Sequence, residues 1–307
     1  MSHHLIVTGD DYGLCASVNE AIEECLSAGT MRAACVMANM PAWAAAVQLR
    51  RRFPDCSIGI HWNLTQGEAV LPASRIRTLV DPKGQFLPSF RRRWLTGKIA
   101  RAQVKAELRA QFNRFCEVAG APDFWNTHQN IHVLPGMFRA CVELGKELKI
   151  PAMRSHRRFT VPLATSSERY HLHHPMYWLK GKIIAHWSKQ AAKQTLMPDG
   201  RIYMPGYPIG WPSLAEVLKR LPWSKAPNGV ELVIHPASRV EPELFGMLTR
   251  SRVREYELFR SPDLKKRLLE MSVRPVGFEV LNQKEPREAR KKLEIAVRQA
   301  QEEGIKT

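Results

Sequence analysis

Two adjacent aspartates and a set of histidines are the residues of this sequence whose types and positions could carry chemistry. Asp10 and Asp11 follow a short apolar run, and His61, His128 and His235 each end another predicted strand. Carboxylates and neutral imidazoles are common ligands of a catalytic divalent cation, which lowers the pKa of a bound water. Together these residues indicate a metal-assisted hydrolase.

Each of these residues, taken alone, also has a structural interpretation. Asp10 could cap a turn and Asp11 the helix that follows, as aspartate often does. His61 has apolar neighbours and could be a hydrogen-bonded core histidine, and His235 precedes a proline. Neighbouring side chains of a regular strand point to opposite faces. The two carboxylates therefore reach one site only if the strand is already turning, which the segment 12–13 permits.

Two other histidine groups need separate treatment. His128 and His132 lie four residues apart, which places them on one face of either a helix or a strand, so spacing alone leaves their local structure open. The segment 171–174 is the densest histidine cluster of the chain. No strand leads into it and no carboxylate pair lies beside it, so we predict a solvated loop there.

The elements that would position these residues follow from the hydrophobic pattern. Short apolar, β-branched runs alternate with helical periodicity, which predicts parallel βαβ units. In such folds the functional groups collect at the carboxyl ends of the strands. The predicted strands cover about 3–9, 33–38, 57–65, 124–130, 229–236 and 273–281.

Composition predicts one soluble domain over residues 1–307. The chain is 44% hydrophobic, has no apolar run long enough to cross a bilayer, and shows no signal peptide, so we expect a cytoplasmic protein. Its six scattered cysteines form no CxxC pair, which excludes a zinc knuckle and a disulfide framework. Irregular, proline- and glycine-containing stretches at about 66–100 and 156–228 are predicted to be insertions.

The basic charge of the chain favours a second class of protein. The net charge is +17, and residues 75–114 alone hold eleven Lys and Arg against two acids, a local charge of +9 that includes the run 91–93. Such a surface attracts anions in general. The alternative is therefore a basic anion- or nucleic-acid-binding protein without enzymatic activity. Because no helix-turn-helix, zinc-finger or RNA-binding signature accompanies the charge, we expect no specific nucleic acid partner.

The order of these motifs resembles the ChbG/HpnK (YdjC-like) family of carbohydrate deacetylases. The resemblance runs from about residue 5 to 281. It rests on four pieces of the sequence: the segment 6–13, which ends in Asp-Asp-Tyr-Gly, with Asn19; the Gly-Ile-His-Trp-Asn-Leu-Thr segment at 59–65; the histidine-rich segment 126–135; and the late His-Pro at 235–236.

This resemblance implies a distorted (β/α) TIM-like barrel with helical and irregular insertions. It also implies hydrolysis of the N-acetyl group of an acetylated amino sugar, an oligosaccharide or a glycolipid, with release of acetate. By position, Asp11, His61 and His128 would bind one divalent cation, Mg²⁺ by family likeness, with Zn²⁺ as the alternative. Asp10 would be the general base and His235 the general acid.

The sequence departs from the family pattern at Thr8, Asn126 and Asn130. None of these is a proposed ligand, but an amide at position 126 would orient a ligand histidine less strongly than a carboxylate does. The candidate substrate contacts are His132, Asn19, Trp62 and Asn130, although core packing is the commoner role of a residue such as Trp62. Partner predictions left open are an anionic substrate, peripheral membrane association and a homodimer.

Overall fold

The computed structural model describes residues 2–160, 175–203 and 210–283. The histidine cluster at 171–174 and the charged carboxyl-terminal segment lie outside these ranges. No helix within them is long and apolar enough to cross a membrane.

Within the described residues, nine parallel strands form one sheet. The sheet curls into a half-barrel with helices, an α/β TIM-like fold, which confirms the predicted fold class. The strands are β1 (His3–Tyr12), β2 (Ala33–Val36), β3 (Ser57–Trp62), β4 (Phe124–Thr127), β5 (Ala152–Met153), β6 (Arg158–Thr160), β7 (Gly200–Tyr203), β8 (Val230–Ile234) and β9 (Val273–Val276). Their neighbour order is β5-β4-β3-β2-β1-β8-β7-β6, with β9 also paired to β1.

Helices follow most of the strands, as βαβ connections require. Their bounds are α1 (Ala16–Ala28), α2 (Ala46–Arg52), α3 (Phe90–Leu95), α4 (Arg101–Ala119), α5 (Met137–Glu147), α6 (Pro175–Ala191), α7 (Trp211–Arg220), α8 (Pro242–Phe245), α9 (Thr249–Phe259) and α10 (Pro262–Glu270).

The predicted insertion at 156–228 is corrected by the structure, because β6 and β7 within it belong to the sheet. β7 pairs with β8 as well as with β6. The two strands have three and four residues, and each carries an arginine. Strands that short and polar do not give the apolar runs by which the longer strands can be recognised. The stretch 66–100 is irregular, with turns, isolated bridges and the short helix α3.

A small apolar cluster lies directly beneath the polar ends of the strands. It contains Ile6, Ala33, Cys35 and Phe124, and the Phe124 ring stacks on Phe278 with centroids 3.8 Å apart. The Cys35 thiol donates a hydrogen bond to Asn126 Oδ1 at 2.9 Å, which joins this cluster to the polar groups above it. The packed interior therefore supports the residues at the strand ends.

Candidate metal centre

The predicted catalytic and metal-binding residues meet in one cavity of about 410 Å³ at the carboxyl ends of the strands. Asp10 and Asp11 end β1, His61 lies near the end of β3, His128 follows β4 and His235 follows β8, and all five line this cavity. Parallel register explains the meeting, because Gly9 pairs with Ile234 and His61 with Asn126 in neighbouring strands.

Asp11 is the centre of the cluster. Its Oδ1 atom lies 3.2 Å from His61 Nε2 and 3.0 Å from His128 Nδ1. The Asp11 side chain is 1% exposed and that of His61 is 2% exposed. The structure thus brings together the three predicted ligands, far apart along the chain, around one carboxylate oxygen.

The backbone of Asp11 explains how two adjacent aspartates serve one site. Asp11 has φ of +70°, in the left-handed region that non-glycine residues rarely adopt. The register of β1 against β2 also shifts between Gly9 and Tyr12. The strand is therefore turning at Asp11, as the convergence of both carboxylates requires.

A buried arginine holds Asp10. Both terminal nitrogens of Arg154 donate to Asp10, Nη1 to Oδ2 and Nη2 to Oδ1, each at 2.8 Å. Arg154 Nε donates to Glu231 Oε1 at 2.9 Å, so the guanidinium is placed by two carboxylates. Asp10 keeps one fixed orientation beside the three predicted ligands.

Asn126 connects His61 to Asp10. Its Oδ1 accepts a hydrogen bond from His61 Nδ1, and its Nδ2 donates to Asp10 Oδ1 at 3.0 Å. Because Nδ1 donates to Asn126, Nε2 is the ring nitrogen that faces Asp11, and it could offer a lone pair to a cation after losing its proton. The amide at position 126 therefore does what a carboxylate could not, because an ionised carboxylate has no proton to donate to Asp10.

The charges of the two aspartates are stabilised by these contacts. Burial alone would raise both pKa values, but Arg154 and His61 hold the pKa of Asp10 below its usual value. His128 and His61 hold the pKa of Asp11 well below its usual value against the same burial. Both carboxylates are therefore ionised at neutral pH.

His235 follows β8, the strand paired with β1, and lies close to Asp10. Its Nε2 atom lies 3.7 Å from Asp10 Oδ2, and 44% of its side chain is exposed. Burial of the ring lowers the pKa of His235, although Asp11 and Asp10 oppose this. Its backbone N–H donates to Glu255 Oε2 at 2.5 Å, and burial raises the pKa of Glu255 to about 7.

Sequence reasoning missed three charged residues of the site, namely Arg154, Arg252 and Glu255. Arg252 Nη2 donates to Asp11 Oδ2 at 2.6 Å, and both Arg252 and Glu255 line the cavity. The chain contains 46 Lys and Arg, and neither arginine stands in a motif. Only the paired carboxylates, which need positive partners, could have indicated that such residues exist.

Of the predicted substrate contacts, only Asn130 lines the cavity. His132 is fully buried with Nδ1 2.6 Å from Thr127 Oγ1, and Trp62 is fully buried beside Trp125. Asn19 uses its Oδ1 to accept from Gly13 N and its Nδ2 to donate to the Ala42 carbonyl. These three side chains are engaged within the fold, so we keep Asn130 alone as a candidate substrate contact.

Two groups of side chains among the described residues have the spacing of metal ligands. One is Asp11, His61 and His128, and the other is Asp10, Cys35 and His61. Burial and then Asp10 raise the pKa of the Cys35 thiol well above its usual value. The thiol also donates its proton to Asn126 Oδ1, so in this structure Cys35 is engaged within the fold and the first group is the better candidate.

The first group does fit a divalent cation. Asp11 Oδ1 lies 3.0 Å from His128 Nδ1 and 3.2 Å from His61 Nε2. These distances are close to the ~3 Å that separates neighbouring ligand atoms of a cation with bonds of about 2.1 Å. Its donor set of one carboxylate oxygen and two imidazole nitrogens would leave positions for water and a substrate oxygen. These three residues could therefore hold a divalent cation.

Curated relatives of this chain carry deacetylase names. Aligned segments are 38% identical over 143 residues to the carbohydrate deacetylase of Mus musculus and 32% over 166 residues to that of Geobacillus stearothermophilus. They cover 45% and 52% of this chain and 46% and 65% of those relatives. A chitooligosaccharide deacetylase of Yersinia enterocolitica is 31% identical over 152 residues, covering 49% of this chain and 59% of that one. The aligned part thus spans about half the length of the relatives.

A solved structure and a family model cover more of the chain. A crystal structure from Enterococcus faecalis, described as a cellobiose-phosphate cleavage protein, matches with a TM-score of 0.72 at 20% identity over 92% of this chain and 99% of that one. This likeness concerns the fold. The family model described as "YdjC-like protein" matches residues 4–270. The chain therefore belongs to the YdjC-like family.

Proposed function

We propose that this protein is a metal-dependent carbohydrate deacetylase, which hydrolyses the N-acetyl group of an acetylated amino sugar and releases acetate. The observation that carries the proposal is the convergence of Asp11, His61 and His128 on one oxygen, with the ionised Asp10 beside them. The names of the aligned relatives support the same chemistry.

Asp11, His61 and His128 would hold the divalent cation. When bound, it polarises the amide carbonyl and lowers the pKa of a water. The Asn126 oxygen keeps a proton on His61 Nδ1, so Nε2, the ring nitrogen that faces Asp11, would be the one to bind the cation. Arg154 keeps Asp10 ionised and fixed, which is the state a general base needs to take the proton of the attacking water.

The same proton can then reach the leaving amine through His235. Burial lowers the pKa of this ring, and Asp11 and Asp10 oppose this shift, while 44% of the side chain is exposed to water at the cavity. Its Nε2 atom lies 3.7 Å from Asp10 Oδ2, which is longer than a hydrogen bond, so one bridging water would carry the proton from Asp10 to His235. His235 would pass this proton to the nitrogen as the C–N bond breaks.

The finer features of the function are part of this proposal. The substrate is an oligosaccharide or glycolipid, and Mg²⁺ or Zn²⁺ is the cation. Arg91 supports an anionic substrate, because this arginine of the basic segment donates to the Gln129 carbonyl in the cavity-lining loop. A cytoplasmic location, a homodimer and peripheral membrane association stay predictions.

The alternative of an anion-binding protein without this activity has less support. Within the basic segment, Lys105 and Arg109 both pair with Glu147, and the Arg114 guanidinium lies 4.5 Å from the Trp43 ring centroid. Part of the charge therefore serves internal contacts. Titrating random DNA at increasing salt separates the classes, because a steep loss of binding without sugar turnover would favour the alternative.

Substitution of the ligands tests the proposal. We expect Asp11→Ala and His128→Ala to abolish acetate release from N-acetylglucosamine oligosaccharides while circular dichroism shows a folded protein. The exposed His186→Ala should behave as the wild type. Full activity of either ligand variant would refute the assignment. Treatment with a chelator should also abolish activity, and the cation that restores it identifies the metal.

A further inference from the structure

Each of the two adjacent aspartates has its own buried arginine. Asp10 pairs with Arg154 and Asp11 with Arg252, and the Arg252 side chain is 8% exposed. Two neighbouring buried carboxylates repel each other unless positive charge compensates them. In this structure the arginines supply that charge, so the carboxylates stay ionised and oriented before any cation arrives.

The contacts of Asp11 are divided between its two oxygens. Oδ1 faces His61 and His128, whereas Oδ2 accepts from Arg252 Nη2 at 2.6 Å. A guanidinium that donates to the second oxygen competes with a metal for that oxygen, which favours binding of the metal through the first. Arg252 would therefore favour binding of a cation by Asp11 through Oδ1 alone.

The surroundings hold Arg252 in this place. Its guanidinium carbon lies 4.5 Å from the centroid of the Phe245 ring, a geometry typical of a cation–π contact. It lies on α9 one turn before Glu255, which accepts the backbone N–H of His235. Two side chains of this helix thus reach the site: Arg252 donates to the Asp11 carboxylate, and Glu255 accepts from the backbone N–H of His235.

We propose that Arg252 is a positioning residue that sets both the geometry and the cation affinity of Asp11. This rests on the proposed function, since it concerns the same metal centre. The fixed positive charge of Arg252 repels a divalent cation at Asp11 and weakens its binding. In return, the cation is held by Oδ1 in one orientation relative to Asp10 and His235.

The proposal predicts opposite changes in binding and turnover. In Arg252→Met, Mn²⁺ should bind at least about five-fold more tightly, because a nearby positive charge is lost. The turnover number should fall about ten-fold or more, with a smaller change in KM, because Asp11 is free to bind through both oxygens. Mn²⁺ affinity is measured by electron paramagnetic resonance on the full-length protein, and turnover by acetate release.

Charge and shape are separated by two further variants. Arg252→Lys keeps the charge, so it should keep wild-type Mn²⁺ affinity and recover part of the lost turnover. Arg252→Gln lacks the charge but keeps an N–H donor, so it should bind Mn²⁺ tightly like the methionine variant, and it replaces that variant if the latter does not fold. The control is Arg254→Met, an exposed arginine of the same helix, which should change neither quantity.

The outcomes distinguish this proposal from the proposed function. Wild-type protein that binds no Mn²⁺ refutes the metal centre itself. Wild-type protein that binds Mn²⁺, with a folded Arg252→Met or Arg252→Gln whose affinity is unchanged or weaker, overturns only the role of Arg252. Tighter binding with reduced turnover in these variants supports it.

Discussion

At the scale of single residues, the site depends on hydrogen bonds that fix the direction of each ligand. Asn126 accepts a hydrogen bond from His61 Nδ1 and donates one to Asp10, so one amide orients both a proposed ligand and the proposed base. Partners of this kind have effects comparable to those of the ligands themselves, because they set the tautomer and the ring orientation.

Removal of this amide should therefore weaken the site without removing a ligand. We expect Asn126→Ala to lower cation affinity or kcat/KM by about 10- to 100-fold, since His61 loses its acceptor and Asp10 a donor. Calorimetric Mn²⁺ titration and acetate release measure the two quantities. The exposed Asn282→Ala is the matched control. Wild-type values for both quantities in Asn126→Ala would show that this hydrogen-bond chain is dispensable.

The sequence predicted the strand-end residues of the site but not their partners. Asp11, His61 and His128 each follow a recognisable strand, and the carboxyl ends of parallel strands meet. Arg154 and Arg252 have no such signal, because only the folded chain shows which arginines face a carboxylate. Asn19 and Trp62 were predicted as substrate contacts, but burial against the fold engages them elsewhere.

At the scale of secondary-structure elements, β3 is held closely against its neighbour at a glycine. A Cβ at Gly59 would lie 2.6 Å from ring atoms of Phe124, and that ring is stacked on Phe278. His61 is two residues further along the same strand. Close packing of β3 against β4 therefore helps to place a predicted ligand.

We expect Gly59→Ala to lower the free energy of unfolding by about 1–3 kcal/mol, as overpacking of a core does. It should also reduce acetate release, since displacement of β3 moves His61. Urea unfolding measures the first effect. The control is Gly181→Ala in α6, where an added Cβ meets no atom within 4 Å. The free energy of unfolding of Gly181→Ala should rise by up to about 1 kcal/mol, because alanine favours a helix more than glycine does. Wild-type stability of Gly59→Ala would mean that the Phe124 ring yields easily.

Prediction of the elements succeeded where hydrophobic runs are long. The first four strands and β8 have buried, mostly apolar residues that sequence patterns reveal. β6 and β7 were placed in an insertion because they are short and contain Arg158 and Arg201. Their place in the sheet depends on pairing with β8, which is a property of the fold and not of the local sequence.

At the scale of the whole molecule, buried neutral histidines couple stability to pH. His156 is 3% exposed, and its Nε2 has no hydrogen-bond partner in the part of the chain that the structure describes. Burial, with His132 and Arg201, lowers its pKa well below the usual value. Below pH 6.5 the unfolded chain therefore takes up a proton at His156 that the native protein does not, and this part of the stability is lost as the pH falls.

Replacement of His156 isolates this contribution from that of Glu255, whose raised pKa acts in the opposite sense. Between pH 7 and 5, protonation of His156 in the unfolded chain should lower the free energy of unfolding of the wild type by about 2 kcal/mol, and His156→Leu should lack this loss. Urea unfolding across this range measures the difference in pH slope. His186→Leu, at an exposed position, should keep the wild-type slope. Identical slopes for His156→Leu and the wild type would contradict a neutral, buried His156.

The central claim is that Asp11, His61 and His128 hold a divalent cation. The most direct measurement is anomalous diffraction at the manganese edge from crystals of the wild-type protein soaked in Mn²⁺. We predict one strong peak within bonding distance of Asp11 Oδ1, His61 Nε2 and His128 Nδ1, with Asp10 outside the coordination sphere. Absence of a peak in this cavity, or a peak that contacts none of the three side chains, would contradict the account.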